Sequence, residues 1–204
     1  MARRCLWPDR PSIPPEAEAR HAATLIDLGE ELAGGIERHG GRERMIELAA
    51  ERDNLVAVVR RRLGVAPIDA ARAVLALEPL FTARGPYAVY GDLLDQVIAA
   101  AGPGSPAPGP LGPEVGAERL ASLRVARGNI RRLAGDLAAG AADLEQAEAL
   151  VRGTGTVAEV RAHVVGALVA FEGSRLDDAV SRSQIGLQIA RARSAGRSCL
   201  LYTS

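Results

Sequence analysis

The sequence predicts an all-α fold built from antiparallel helix-hairpin repeats, a tetratricopeptide-like α-solenoid in outline, and three observations carry that prediction. Apolar residues make up 48% of the 204-residue chain but aromatics only 3%, so its core must be assembled from Ala, Leu, Val and Ile. Ala and Leu are strong helix formers, and small side chains let helices approach closely. Apolar residues recur at helical spacing in segments separated by Gly and Pro. Within residues 117–198 one grammar occurs twice: a helix with small residues midway, a break, and a second helix opening on an apolar residue. Gly140 and Ala179 stand at corresponding second-helix positions of the two copies. A period of that size marks a helical hairpin that buries its apolar face only against stacked neighbours.

In chain order, residues 1–15 hold Pro8, Pro11, Pro14 and Pro15 and read as an extended arm or the remnant of an upstream domain. Residues 16–64 read as an entry hairpin. Its first helix carries Leu25, Leu28 and Leu32, with Ala22 and Ile26 beside them. Gly34-Gly35 and Gly40-Gly41 mark the connection, and the second helix has an imperfect stripe of Ile46, Ala49 or Ala50, Val56 and Val59 or Arg60, interrupted by Asp53, with Leu55 and Leu63 filling in beside it. Gly64 is placed as its C-terminal cap. Residues 67–100 form a degenerate repeat: one helix over 70–83 that Pro79 should kink, a turn at Arg84-Gly85-Pro86-Tyr87, and a partner helix with Leu93, Leu94, Val97 and Ile98.

Residues 101–116, with five prolines and five glycines, read as a linker. Residues 117–198 then hold the two clean repeats. Leu120, Leu123, Ile130 and Leu133 supply the buried face of their first helix, and Leu137, Ala141, Leu144, Ala147 and Val151 that of the second. Thr156 and Glu159 fit a capping box that opens the third helix, with Val157, Val160 or Arg161, Val164, Leu168 and Phe171 expected on its apolar face. The last helix, Leu176 to about Ser194, offers Leu176, Ala179, Val180, Leu187 and Ala190.

Two resemblances follow from these residues. Arg20-His21-Ala22, Leu25, Leu28 and Glu30-Glu31, followed by Glu51-Arg52-Asp53-Asn54-Leu55, resemble the region after the ATPase and winged-helix part of bacterial STAND-type signalling ATPases. That group includes large transcriptional regulators and kinase-linked ATPases, in which tetratricopeptide-like repeats come next. Thr24 and Val56 depart from it, standing where the family often has an aromatic residue and an Arg. The 117–198 segment resembles the tetratricopeptide repeat itself. Gly128 and Ala147 match its small positions and Leu137 its apolar opening, while Gly140, Leu144, Arg131 and Gly186 depart from its usual Ala, aromatic, Tyr and Ala. This alignment gives the second copy one extra turn residue. The resemblance implies a concave groove lined by the first helix of each pair, on which Ser122, Asn129, Arg132 and Arg161 would fall. Asn and Arg there suit an acidic or carboxylate-bearing segment.

Chemistry for catalysis is not apparent. His21, His39 and His163 stand apart with no second ligand nearby, and Cys5 and Cys199 make neither a zinc site nor a disulfide framework. Glu30-Glu31 and Asp177-Asp178 are sequence neighbours, which a helix points in different directions. Gly153-Thr154-Gly155-Thr156 lacks the Lys-Ser/Thr ending of a phosphate loop. All 25 basic residues are Arg and balance 25 acidic ones, so there is no basic field for nucleic acid. Apolar runs fall short of the ~18 residues of a membrane span. The expectation is therefore a non-enzymatic, cytoplasmic interaction or sensor scaffold with no cofactor and no metal. Its partner would be a protein, a peptide, or an upstream ATPase domain of the same chain.

Cys199-Leu200-Leu201-Tyr202-Thr203-Ser204 resembles a translated sequencing-library adapter, so residues 199–204 are expected to be foreign and the native chain to continue past Ser198. A fragment of a multidomain regulator is the first expectation. A free-standing tetratricopeptide adaptor is the second, and a small all-α enzyme the third. An in-frame P-loop ATPase and winged helix encoded upstream would separate the first from the others.

Overall fold

The structure is a computed structural model that describes residues 14–36, 40–101 and 113–201, with side chains over 14–36, 40–100 and 116–194. Cys5, His39, most of the arm, the linker core at 102–112 and residues 202–204 lie outside the described residues, as does the side chain of Cys199. Among those described there are nine helices and no strand. The all-α class is therefore correct, with consecutive helices packed as neighbours.

Helix α1 (Pro15–Gly35) starts at a proline, whose missing N–H is no loss in a first turn. Its buried stripe is Ala22, Ile26, Gly29 and Leu32, whereas Leu28 is exposed. Gly29 marks where three helices converge: a Cβ there would lie 3.1 Å from both δ-carbons of Leu55 and 3.3 Å from Ala76. Helix α2 (Gly41–Arg62) turns Leu48, Leu55, Val58 and Val59 inward and leaves Ile46 half exposed, so its face is rotated from the expected one. Gly64 is not the left-handed cap expected of it: the glycines with positive φ lie elsewhere, and Ala66 N–H closes onto Arg62 O instead. Arg62 then holds Asp69 across the α2–α3 connection, with Nη2–Oδ2 at 2.8 Å.

Pro79 does more than kink its helix. The segment divides into α3 (Pro67–Ala76) and α4 (Glu78–Arg84), with Leu77 at the junction and Pro79 in the first turn of α4. Gly85, at φ +66°, makes the corner into α5 (Tyr87–Ala101). Tyr90 is fully buried, stacks on Phe81 with centroids 4.8 Å apart, and donates its hydroxyl to Val74 O at 2.9 Å.

Helix α6 (Pro113–Leu133) begins inside the span expected to be linker, so residues 113–116 belong to a helix. It is a shared wall. Leu123, Ala126 and Ile130 join the core of α1–α5, while Ala121 and Val125 join a second core made with α7 (Leu137–Val151) and α8 (Val157–Glu172). Helix α9 (Leu176–Leu201) packs on α8 and runs past the 194 expected for its end.

The two hairpin corners carry the same backbone hydrogen bonds. The offset from the end of α6 at Leu133 to the end of α8 at Glu172 equals that from the start of α7 at Leu137 to the start of α9 at Leu176. Gly135 N donates to Arg132 O and Asp136 N to Arg131 O; Ser174 N donates to Phe171 O and Arg175 N to Ala170 O. The left-handed residue is Gly135 (φ +88°) in one and Ser174 (φ +59°) in the other. The extra turn residue of the sequence alignment is thereby removed, because Gly173 is not the counterpart of Gly135. Its place is one residue earlier, at the end of α8.

Candidate interaction surfaces

The four groove residues lie on α6 and α8. Asn129 Oδ1 accepts from Arg132 Nε at 3.1 Å and Nη2 at 2.9 Å, and Arg132 Nη1 pairs with Glu172 at the end of α8. Ser122 lies further back on α6 and donates to Glu118 O at 3.0 Å. Arg161 pairs with Glu78 at the start of α4. The Arg132–Glu172 pair joins the C-terminal ends of α6 and α8, so these helices run side by side in one direction. At 1.5 Å per residue, Ser122 and Arg161 both sit roughly 15 Å upstream of that pair. Asn129 and Arg132 thus meet directly, while Ser122 and Arg161 share a second level along the same two helices.

A second charged cluster was missed from the sequence. Arg124, Arg127 and Arg131 recur on α6 at i, i+3 and i+7, a spacing that places them on one side. They converge on Asp143 of α7, only 1% exposed. Arg127 grips it with Nε–Oδ2 at 2.8 Å and with Nη2 on Oδ1, and its Nη1 reaches Asp95 of α5 at 2.6 Å. Arg131 adds a bond of 2.9 Å, and Arg124 lies 3.8 Å away. Burial lowers the proton affinity of the Arg124 guanidinium, Arg127 adds to that, and Asp143 opposes it. For Arg127 burial acts the same way, but hydrogen bonds to Asp143 and Asp95 outweigh it and raise the pKa. The cluster can clamp α5, α6 and α7 together. The arginine spacing was the signal that could have found it.

His163 stands beside a further ion pair, its buried Nδ1 without a hydrogen-bond partner among the described residues. Its Nδ1 lies 3.7 Å from Glu148 Oε1, which already pairs with Arg182 of α9. The cleft beside Arg182 holds about 10 Å³, room for one water at most. His21 is exposed on α1. Thr156 caps α8 as expected, accepting from Glu159 N at 3.3 Å. The box is displaced by one residue, however: Glu159 accepts from Gly155 N (2.8 Å) and Gly153 N (2.6 Å) rather than from the cap itself.

The largest departure from expectation is on α8. Ala158, Ala162, Val165 and Val169 face inward, and of the residues expected there, Val157, Val164, Leu168 and Phe171 are 43–63% exposed. Leu176, Val180 and Leu187 of α9 are 50–59% exposed as well. Helix α8 is apolar almost all round, and the smaller side is the one that nests against α6 and α7.

Among the described residues, no helix is long and apolar enough to cross a membrane, and no group of three His, Cys, Asp or Glu could hold a metal ion. Glu51-Arg52-Asp53-Asn54-Leu55 lies on α2 with Leu55 fully buried and Asn54 outside, donating to Glu51 at 2.8 Å. Comparison with models of protein families, with curated proteins and with solved structures finds no match.

Proposed function

We propose that this chain is a helical-hairpin interaction scaffold of tetratricopeptide type, without catalytic activity. On this reading it is the sensor segment of a cytoplasmic, multidomain bacterial signalling ATPase or transcriptional regulator. The observation that carries the scaffold reading is the repeated corner. The same two backbone hydrogen bonds recur one repeat later, and α8 lies against both α6 and α7. That is how stacked hairpins bury faces that none of them can bury alone. The Glu51–Leu55 segment supports the regulator reading, with Leu55 packed against Gly29 of the preceding helix.

The partner is an acidic protein segment that lies along α6 and α8. It meets Asn129 and Arg132 at one level and Ser122 and Arg161 at the other. Arg132 and Arg161 already hold Glu172 and Glu78, so an incoming carboxylate exchanges one anion for another. Affinity is then modest and salt-sensitive. In fluorescence anisotropy, labelled acidic peptides should bind in roughly the micromolar range, and Arg132→Ala or Arg161→Ala should each weaken binding on the order of tenfold. A panel that does not bind, or binding indifferent to both substitutions, overturns the reading.

A further inference from the structure

Among the described residues, seven of the eight exposed large apolar side chains of α8 and α9 fall on one stripe per helix, Ile185 lying on the opposite side of α9. The two helices are antiparallel neighbours: Gly166 lies against Arg182, and Gly186 against Val160, His163 and Val164. At 100° per residue, each stripe sits roughly a quarter turn from the side that meets the other helix. Because the helices run in opposite directions, both rotations lead to the same side of the hairpin. The stripes therefore form one continuous face.

We infer that this face joins two copies of the chain about a two-fold axis, α8 against α8 and α9 against α9, both antiparallel. The axis crosses α9 between Ser183 and Gln184 and sets Val180 opposite Leu187 of the second copy. The same placement brings Asp177 to within one residue of facing Arg191 of the second copy. Asp177 and Arg191 are exposed, flank the stripe on the same edge, and have no ion pair among the described residues. On α8 Val157 and Phe171 are equidistant from Val164, so Val164 meets its own copy, Val157 meets Phe171, and Leu168 meets Val160. The contacts of Gly166 and Gly186 place Val164 level with Gln184 and Ile185, so one axis serves both helices. Ser183 keeps the centre of α9 small.

The area fits. The seven side chains leave roughly 600 Å² of apolar surface per copy, near the ~800 Å² per partner of a standard interface once a polar rim is added. An isologous contact of this kind closes at two copies. The dimer is inferred from the stripe and not from the acidic-peptide reading, whose Ser122, Asn129 and Arg132 lie on α6. Arg161 flanks the stripe on α8, four residues from Val157 and three from Val164, so dimer and peptide would compete there.

Light scattering after gel filtration of the full chain should give twice the 21.3 kDa monomer mass. Val164→Arg, which sets two guanidiniums on the axis, should give monomer. Asp177→Arg should weaken the dimer on the order of tenfold, and adding Arg191→Asp should restore it, since the reversed pair is again opposite in sign. That rescue also guards against a variant that merely misfolds. A monomer at ~100 μM would leave the face to a further helical hairpin or another partner, and overturns the proposal. A dimer indifferent to Val164→Arg, or one that the double reversal fails to restore, overturns it too.

Discussion

The hairpins α6–α7 and α8–α9 share a backbone and almost nothing else. Their corners carry the same hydrogen bonds at the same spacing, yet Gly135 becomes Ser174, Gly140 becomes Ala179, and the buried Asp143 becomes Arg182 at the matching position of the next copy. Among the described residues, the first hairpin is covered on both sides, by α5 and by α8, while the second is packed chiefly on one side, against α7 and α6. A repeat can therefore conserve its turn geometry while each copy adapts its side chains to what lies next to it. Covered, the first copy can hold a charge indoors; uncovered on one side, the second presents Phe171, Leu176 and Val180 instead.

The charged position is where the two copies should differ most when broken. Asp143→Ala removes the anion shared by Arg127 and Arg131 and leaves Arg127, with 13% of its side chain exposed, without its main partner. Breaking a buried pair in this way costs about 3–5 kcal/mol. The counterpart Arg182→Ala loses bonds to Glu148 and Asp178, both partly wet, and should cost about 1 kcal/mol. Urea unfolding of the two variants measures the contrast. Equal losses would mean the buried cluster has no special weight.

Glycine 140 tests the resemblance against the packing. The tetratricopeptide pattern has alanine there, and alanine favours a helix by about 1 kcal/mol over glycine. But a Cβ on Gly140 would lie 3.0 Å from Gly128 O, and one on Gly128 would lie 3.1 Å from Gly140 O. Backbone cannot move aside as a flexible side chain would, so the helices must separate, at about 1–3 kcal/mol. Gly140→Ala should therefore destabilise by roughly 1 kcal/mol net, visible as a lower urea midpoint. A stabilised variant would show that α6 and α7 have slack between them.

These cases also show what the sequence could convey. Helix ends were readable at Pro67, Gly135, Gly153 and Thr156, which punctuate them by local chemistry that acts without knowing the fold, whereas Pro79, expected to kink one helix, stands in the first turn of a separate one. The inward face was readable on α6 and α7, where apolar and polar residues separate. It was not readable on α8. There Val157, Val164 and Phe171 compete with Ala158, Ala162 and Val169, and only the shape of the neighbouring hairpin selects the smaller set. Of the groove residues, the link between Asn129 and Arg132 follows from their spacing. The ties of Arg132 to Glu172 and of Arg161 to Glu78, 40 and 83 residues away, follow from tertiary structure alone.

The corner itself gives the smallest and sharpest test. Ser174 occupies the left-handed position that Gly135 fills in the first hairpin, at φ +59° against +88°. An L side chain there brings its Cβ close to the backbone carbonyl, a strain that glycine lacks. Glycine in turn has more freedom to lose on folding, which offsets part of the gain. Ser174→Gly should stabilise the chain by roughly 0.5–1 kcal/mol, whereas Gly135→Ser should destabilise it by a similar amount, both read from the urea midpoint at unchanged slope. Opposite signs at these two positions are expected only if the two corners are the same turn. A Ser174→Gly variant that loses stability would mean the serine side chain contributes something its counterpart does not, and the equivalence would end at the hydrogen bonds.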